Sequence, residues 1–449
     1  MPPRAAPAGP FGQSMCGIAG LISQRPGQTG EPVAAMLAAL SHRGPDGEGS
    51  FVDDPLRMGM RRLAIIDPAT GWQPLYNEDK SVALIVNGEI YNFVELRRDL
   101  EARGHLFHTG SDCEVIAHLY EEHGTEFVHH LRGMFAIALW DAARRRLVLV
   151  RDRMGEKPLY LAERDGALLF SSELKSILAS KRVPPALDPQ AVAEFLHYGF
   201  VIEPRTPFQG VRKLPPASML VVDTRPWRVE ERVYWSAFDA DPLPDASPRR
   251  LMDALDEVGR LIIRSDVPVG VALSGGVDSS LIACLAGRHM DGGLTAISVG
   301  YDNGGANDES GAARWLAAKM GWRFIRTEIS DSDAVERFDD VIGARDDPIS
   351  DISGVCYHYL NAVAREAGIP VMLYGQGGDE LFWGYPWVRA AAAANCLIDG
   401  RSFGGPAAWV RLLGPSSPAP LDLARWALRE RLGSRTYRRI RDTARSANG

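Results

Sequence analysis

From Val267 to Tyr374 the sequence repeats one pattern, an apolar run followed by a helical stretch, and nothing else in the chain limits its fold so much. The runs Val267 to Leu273, Leu294 to Val299, Phe324 to Glu328 and Pro370 to Tyr374 read as buried strands. Ser279 to Arg288, Asp308 to Met320 and Val355 to Ala367 read as the helices between them. That alternation points to a parallel sheet flanked by helices, with ligands at the carboxyl ends of its strands.

The preceding half has a different rhythm. Arg61 to Ile66 and Val82 to Val86 are short apolar runs, the second ending at Asn87-Gly88, with the turn-rich Asp67 to Gln73 between them. Further strands are expected from Met134 to Trp140 and Leu147 to Val150, and helices at Val33 to Leu40, Val94 to Arg103 and Glu114 to His123. This interleaving predicts layered α plus β rather than a parallel sheet. The Pro-rich stretch Val183 to Pro216 and the loop Ala237 to Pro248 mark the expected boundary. A length of 449 residues agrees with two domains.

A net charge of -7 gives no general attraction to nucleic acid, and no apolar stretch approaches the ~18 residues of a membrane span. Cys16, Cys113, Cys284, Cys356 and Cys396 are scattered, without a CxxC pair or a His cluster at metal-ligand spacing. Neither a disulfide framework nor a zinc site is therefore expected, and the compartment reads as the reducing cytoplasm.

Two motifs carry chemistry. A cysteine after an initiator methionine, as in Met15-Cys16-Gly17, becomes a chain terminus once that methionine is removed, and its α-amine, with a pKa of about 8, can accept the thiol proton. Ser274-Gly275-Gly276-Val277-Asp278-Ser279-Ser280, between a strand and a helix, offers backbone N–H groups to a polyphosphate and is not the GxxxxGK[ST] loop.

In order, Met15 to Gly20, His42-Arg43-Gly44-Pro45-Asp46, Arg62 to Asp67, Asn87 to Asn92 and Gly110-Ser111-Asp112 resemble the motifs of class II glutamine amidotransferases. Arg132 to Ala136 and Arg151 to Tyr160 are similar to the asparagine synthetase B branch, and the resemblance extends from Met15 to about Tyr385. It implies an α+β N-terminal-nucleophile hydrolase sandwich over residues 16–215, preceded by an unfolded extension at 1–15. A Rossmann-like ATP-pyrophosphatase domain is implied over 248–449. Glutamine is expected to be cleaved through a thioester on Cys16, with the Asn87 amide and the Gly88 N–H facing the oxyanion. Arg62 is expected to hold the glutamine carboxylate, Asp112 and Glu89 its ammonium group, with Ile65 and Ile66 also lining the glutamine site. Read one at a time these residues are ordinary: Asn87-Gly88 a hairpin turn, Arg62 a surface base, Asp112 a helix N-cap.

For ATP the same resemblance implies Leu273, Ser274, Gly275, Gly276, Asp278, Ser279, Val299, Tyr374 and Gly375, with Mg²⁺ on Asp278 and Asp379. The default reaction amidates L-aspartate through an acyl-AMP, consuming L-glutamine and ATP. Nucleic acid and membrane are not expected partners, and a homodimer is compatible.

The match departs from the family in three places. Fourteen residues precede Met15, leaving open initiation at Met15, removal of the extension, or a silent glutaminase, the first being preferred. Gln376, assigned to the acyl-adenylate site, stands where family members usually carry glutamate, and it cannot act as a base. Beyond Tyr385 no distal lysine motif is found; a helix at Ala390 to Ala394 and a Gly/Pro-rich stretch precede Arg425 to Gly449, which carries eight arginines and reads as a solvated helical face. Another carboxylate acceptor, a β-lactam-synthetase-like cyclase, or a subunit needing a C-terminal partner therefore stay as alternatives.

Overall fold

The computed structural model describes residues 15–392 except positions 26, 28, 242, 244–246, 291, 303–307, 383, 387, 390 and 391. The expected N-terminal extension, the Ala390 to Ala394 helix and the arginine-rich end fall outside the described residues, wholly or nearly so. Two compact units are present, one running to Gly276 and resuming over Ile282–Leu373, the other made of Val277–Leu281 and the chain from Tyr374.

The first unit opens with twelve strands: β1 (Gly17–Ser23), β2 (Gly47–Asp53), β3 (Leu56–Arg62), β4 (Leu75–Tyr76), β5 (Val82–Ile90), β6 (Gly133–Asp141), β7 (Arg146–Arg151), β8 (Tyr160–Arg164), β9 (Ala167–Ser171), β10 (Val211–Lys213), β11 (Ser218–Thr224) and β12 (Trp227–Val233). They form two antiparallel sheets, ordered β10-β8-β9-β1-β3-β2 and β12-β11-β7-β6-β5-β4. The sheets pack face to face on Ile18, Ile22, Met58 and Phe170 from one side and Ile85, Ala138, Trp140 and Leu149 from the other. Helices cover both outer faces. Val33, Met36 and Ile177 lie on the first sheet, and Ile116, Leu119 and Phe127 on the second. The result is the helix, sheet, sheet, helix layering expected for the sandwich.

Because both faces of these sheets are covered, the inner strands lose the alternation that would reveal them. Strand β5 is buried at nearly every position, whereas the edge strand β2 alternates between half-buried and exposed. This corrects the early stop at Asn87-Gly88: the strand runs through both residues to Ile90, with Gly88 opposite Phe135. The Pro-rich stretch expected as a boundary holds a helix at Pro189–Tyr198 and the strand β10.

The alternating segment follows its expectation. Strands β13 (Val269–Ala272), β14 (Thr295–Tyr301), β15 (Arg323–Ile329) and β16 (Val371–Leu373) form a parallel sheet ordered β15-β14-β13-β16. Strand order reverses between β13 and β16, which sets the topological switch point of an α/β sheet beside the strand that leads into Ser274.

Within this first unit the parallel sheet is tied to the sandwich by polar contacts. Arg264 donates to both carboxylate oxygens of Glu95 at 2.6 Å and to the Tyr91 carbonyl at 2.6 Å. The Asp67 N–H donates to Asp266 Oδ2 at 2.7 Å while the Asp266 N–H returns a bond to the Ile65 carbonyl at 3.2 Å. Tyr160 and Lys213 both meet Asp347.

Trp140 is fully buried between the two antiparallel sheets, its Nε1–H donating to Asp53 at 2.8 Å. Trp140→Ala is expected to lower unfolding free energy by about 3–5 kcal/mol, read by denaturant titration with far-ultraviolet circular dichroism.

Candidate active site

Cys16 lies just before β1, the central strand pairing β9 on one side and β3 on the other. The register Gly17 opposite Arg61 carries the cysteine past the end of β3, where the Leu63 N–H approaches its Sγ at 3.4 Å. From below, Arg43 Nε donates to the Cys16 carbonyl at 2.9 Å and Nη1 to Glu173 at 2.8 Å. His42 meets the same carboxylate oxygen at 3.0 Å. Burial works against a charged Glu173, yet the His42 bond and the Arg43 guanidinium hold its carboxyl down at about 2. The pair is therefore an ionised anchor beneath the nucleophile.

Burial also pushes the Cys16 thiol up, opposed by the Leu63 backbone and by the charges of Arg43 and Arg62, and supported by that of Asp112. A thiol in this state needs a base.

Asn87 and Gly88 sit in the middle of β5 rather than in a turn. Asn87 is buried, and its Nδ2 has no hydrogen-bond partner among the described residues. A buried amide left in this state costs about 1–3 kcal/mol, which marks a donor kept for something else. A side chain at Gly88 would run into the neighbouring strand, 2.6 Å from Phe135 Cα, so only glycine fits there.

Arg62 is buried, not a surface base; it stacks 5.0 Å from the Trp72 ring centre and donates to the carbonyls of Ile66, Asp67 and Pro68 at 3.2, 2.6 and 3.2 Å. The guanidinium thus shapes the loop that holds Ile65 and Ile66. Asp112 is not an N-cap, a role taken by Ser111. Its Oδ2 accepts from the Ile90 N–H at 2.7 Å, joining it to the end of β5. Burial raises Asp112 to about 6. Burial and the Asp112 charge raise Glu89 to about 7, with Lys157 pulling the other way. Two carboxyls that resist ionisation side by side form a receptor for a cation.

The second motif starts at the end of β13. Leu273 is packed in the core and Val299 lies in β14. Gly275 has a φ of +92°, and a side chain there would crowd Glu309 and Ala312. The Gly276 N–H turns back to Ser274 Oγ at 3.1 Å, and Gly276 stands at the N-cap of the helix Val277–Gly287, whose positive end suits an anion.

In the second unit, Gly375 packs on the first turn of that helix: an added Cβ would lie 2.6 Å from the Ser279 nitrogen. The Asp278 carboxylate lies against Gly378, so that it neighbours the turn presenting Asp379, and two hard oxygen donors suit Mg²⁺. Tyr374 and Gln376 flank Gly375 in the same turn, and Glu380 accepts from the Gly377 N–H at 3.1 Å.

Glu173 escaped sequence reasoning. It stands 130 residues from Arg43, and only the folded first sheet brings the two together.

Comparison with known proteins gives two family models, a glutamine amidotransferase domain over residues 15–235 and asparagine synthase over 250–448. The chain is 36% identical to asparagine synthetase [glutamine-hydrolyzing] 1 of Bacillus subtilis (strain 168) over 379 residues, 83% of this chain and 59% of that protein. It is 32% identical to asparagine synthetase [glutamine-hydrolyzing] of Sandersonia aurantiaca, covering 84% of this chain and 68% of the other. Amidase chyE of Penicillium rubens is 34% identical over 79% of this chain and 55% of its own. Against the three Bacillus subtilis asparagine synthetases the chain spans 59%, 52% and 64% of their length.

The Glu173 anchor has a pH signature. Its folded pKa of about 2 lies below the ordinary value of 4.5, so its stabilisation is present above pH 4.5 and lost as pH falls toward 2. The stability gap between wild type and Glu173→Gln is expected to shrink by about 3 kcal/mol over that window, measured by urea unfolding at stepped pH.

Proposed function

Because the chain belongs to the glutamine-hydrolysing asparagine synthetase family, we propose that it cleaves glutamine at Cys16 and uses ATP to amidate a carboxylate, L-aspartate by default. The orphaned Nδ2 of Asn87 carries the glutaminase reading, since it is a preorganised buried donor beside the thiol's strand. Domain limits of 16–215 and 248–449 follow from the same reading.

Cys16 Sγ attacks the glutamine amide carbon and passes its proton to its own α-amine once the preceding residues are gone. Asn87 Nδ2 and the Gly88 N–H then receive the oxyanion, ammonia leaves, and water hydrolyses the thioester to glutamate. Arg62 with Ile65 and Ile66 takes the substrate carboxylate, and Asp112 with Glu89 its ammonium. Ionisation of those two carboxyls improves binding, so glutamine is held better as pH rises through about 6 to 7.

At the other site the glycine-rich turn at the N-terminal end of the helix Val277–Gly287 suits the pyrophosphate of ATP. Mg²⁺ on Asp278 and Asp379 would neutralise that charge. The carboxylate attacks the α-phosphorus, pyrophosphate leaves, and ammonia displaces AMP from the acyl-adenylate. The cytoplasm suits such a chain, in which no helix among the described residues is long and apolar enough to cross a membrane.

A different acceptor is the second reading. Gln376 supports it, because an amide cannot take the proton or charge that a glutamate would, and amidase-named relatives match as well as the synthetases do.

With ATP, Mg²⁺, L-aspartate and ammonium chloride, which bypass Cys16, asparagine and AMP are expected in equal amounts. AMP formed only with another acid would replace aspartate as acceptor, and no AMP with any acid would sink the synthetase reading. In the glutaminase assay of a chain beginning at Cys16, Asp112→Asn is expected to raise KM for glutamine by about 10- to 100-fold, the loss of one charge-assisted bond. The wild-type KM is expected to fall between pH 5.5 and 7.5, and a flat profile would remove Asp112 and Glu89 from the ammonium site.

A further inference from the structure

On the far side of the second antiparallel sheet from Cys16, four side chains from three segments converge. Glu78 follows β4, His105 lies in the loop after the helix Phe93–Glu101, and His118 and Glu121 share one face of the helix Val115–His123. Their separation in sequence explains why no metal-ligand spacing was legible. Among the described residues these are the group whose ligand atoms all lie within 4.8 Å of one another.

The distances have the form of a coordination shell. His105 Nδ1 lies 3.1 Å from Glu78 Oε1 and 3.8 Å from Glu121 Oε2, and His118 Nδ1 lies 3.3 and 3.6 Å from the same two oxygens. A tetrahedral ion bound at about 2.0–2.1 Å sets its ligands about 3.3–3.4 Å apart, in the middle of that range.

His118 separates a metal site from an ordinary His–Glu cluster. It is fully buried, and neither ring nitrogen has a hydrogen-bond partner among the described residues. Phe107 packs on its ring with centres 4.2 Å apart, and Nε2 has the buried Glu114 at 3.8 Å. An imidazole sealed in this way, with Nδ1 aimed between two carboxylates, has no partner in hydrogen-bonding geometry among the described residues.

The outer contacts are those that orient ligands. Glu122 Oε1 lies 3.1 Å from His105 Nε2, on the other side of the ring from the Nδ1 that meets Glu78. Asn77 Nδ2 holds the other oxygen of Glu121 at 2.9 Å, and the Leu106 N–H holds Glu78 at 2.9 Å.

We propose that Glu78, His105, His118 and Glu121 bind a structural Zn²⁺ ion. Two imidazoles and two carboxylates without a thiolate suit zinc rather than Mg²⁺, and four protein ligands close the sphere to substrate. The ion would pin the loop that starts at His105 and ends at Asp112, so it acts on the glutamine site by fixing a loop.

The test does not depend on any activity. Full-length chain stripped with chelator and titrated with Zn²⁺ by calorimetry is expected to bind about one equivalent, and Co²⁺ in its place to give the intense visible bands of four-coordination. His105→Gln and the surface change Glu121→Gln are expected to lose that equivalent, Glu122→Gln to bind about tenfold more weakly, and Cys16→Ala to retain it. Absence of binding at micromolar zinc, or an equivalent that persists in both His105→Gln and Glu121→Gln, overturns the proposal.

Discussion

A guanidinium buried under the first strand holds Cys16, the proposed nucleophile, in place. Arg43 links the Cys16 carbonyl to Glu173, a carboxylate that stays ionised despite its burial. A cysteine at a strand end would otherwise fray, since a terminal residue has hydrogen-bonding neighbours on only one side. With the carbonyl clamped, Sγ stays over the end of β3 next to Leu63. The two charges depend on each other: removing the carboxylate would leave a cation in the core.

The same logic extends outward from β5. Asn87 and Glu89 are two residues apart on one strand, so their side chains share a face, with the bare backbone of Gly88 between them. The strand delivers an amide, a bare backbone and a carboxyl within three residues, and Asp112 is hooked to its end through Ile90. At these three residues β5 is paired with β6, and groups on a paired strand are held more rigidly than groups on a loop.

What could be read beforehand followed burial. Of the parallel strands, β13, β14 and β16 were legible as short, largely apolar runs with helices between, whereas β15 carries Arg326, Thr327 and Glu328 and is mostly half-buried rather than buried as expected. Strands β1, β2, β8, β10 and β12 gave no comparable signal, being short or rich in glycine or charge, and the first sheet is assembled from segments far apart in the chain. Ordered motifs named Cys16, Arg62, Asn87 and Asp112, but a motif says nothing of Asn87 lying inside a strand rather than in a turn. Contacts at long separation, such as Glu173 with Arg43 and the imidazoles with Glu78, depend on tertiary structure and have no local trace.

The reciprocal bonds between Asp266 and the Ile65–Asp67 backbone carry a consequence for how the chain can be dissected. That backbone is also the one whose carbonyls Arg62 grips. An excised sandwich would keep all of its catalytic side chains and yet lose the brace on its substrate loop, leaving the Asp67 N–H to water. Modularity in this chain is therefore a property of its cores and not of its glutamine site, which borrows part of its stiffness from the sheet downstream.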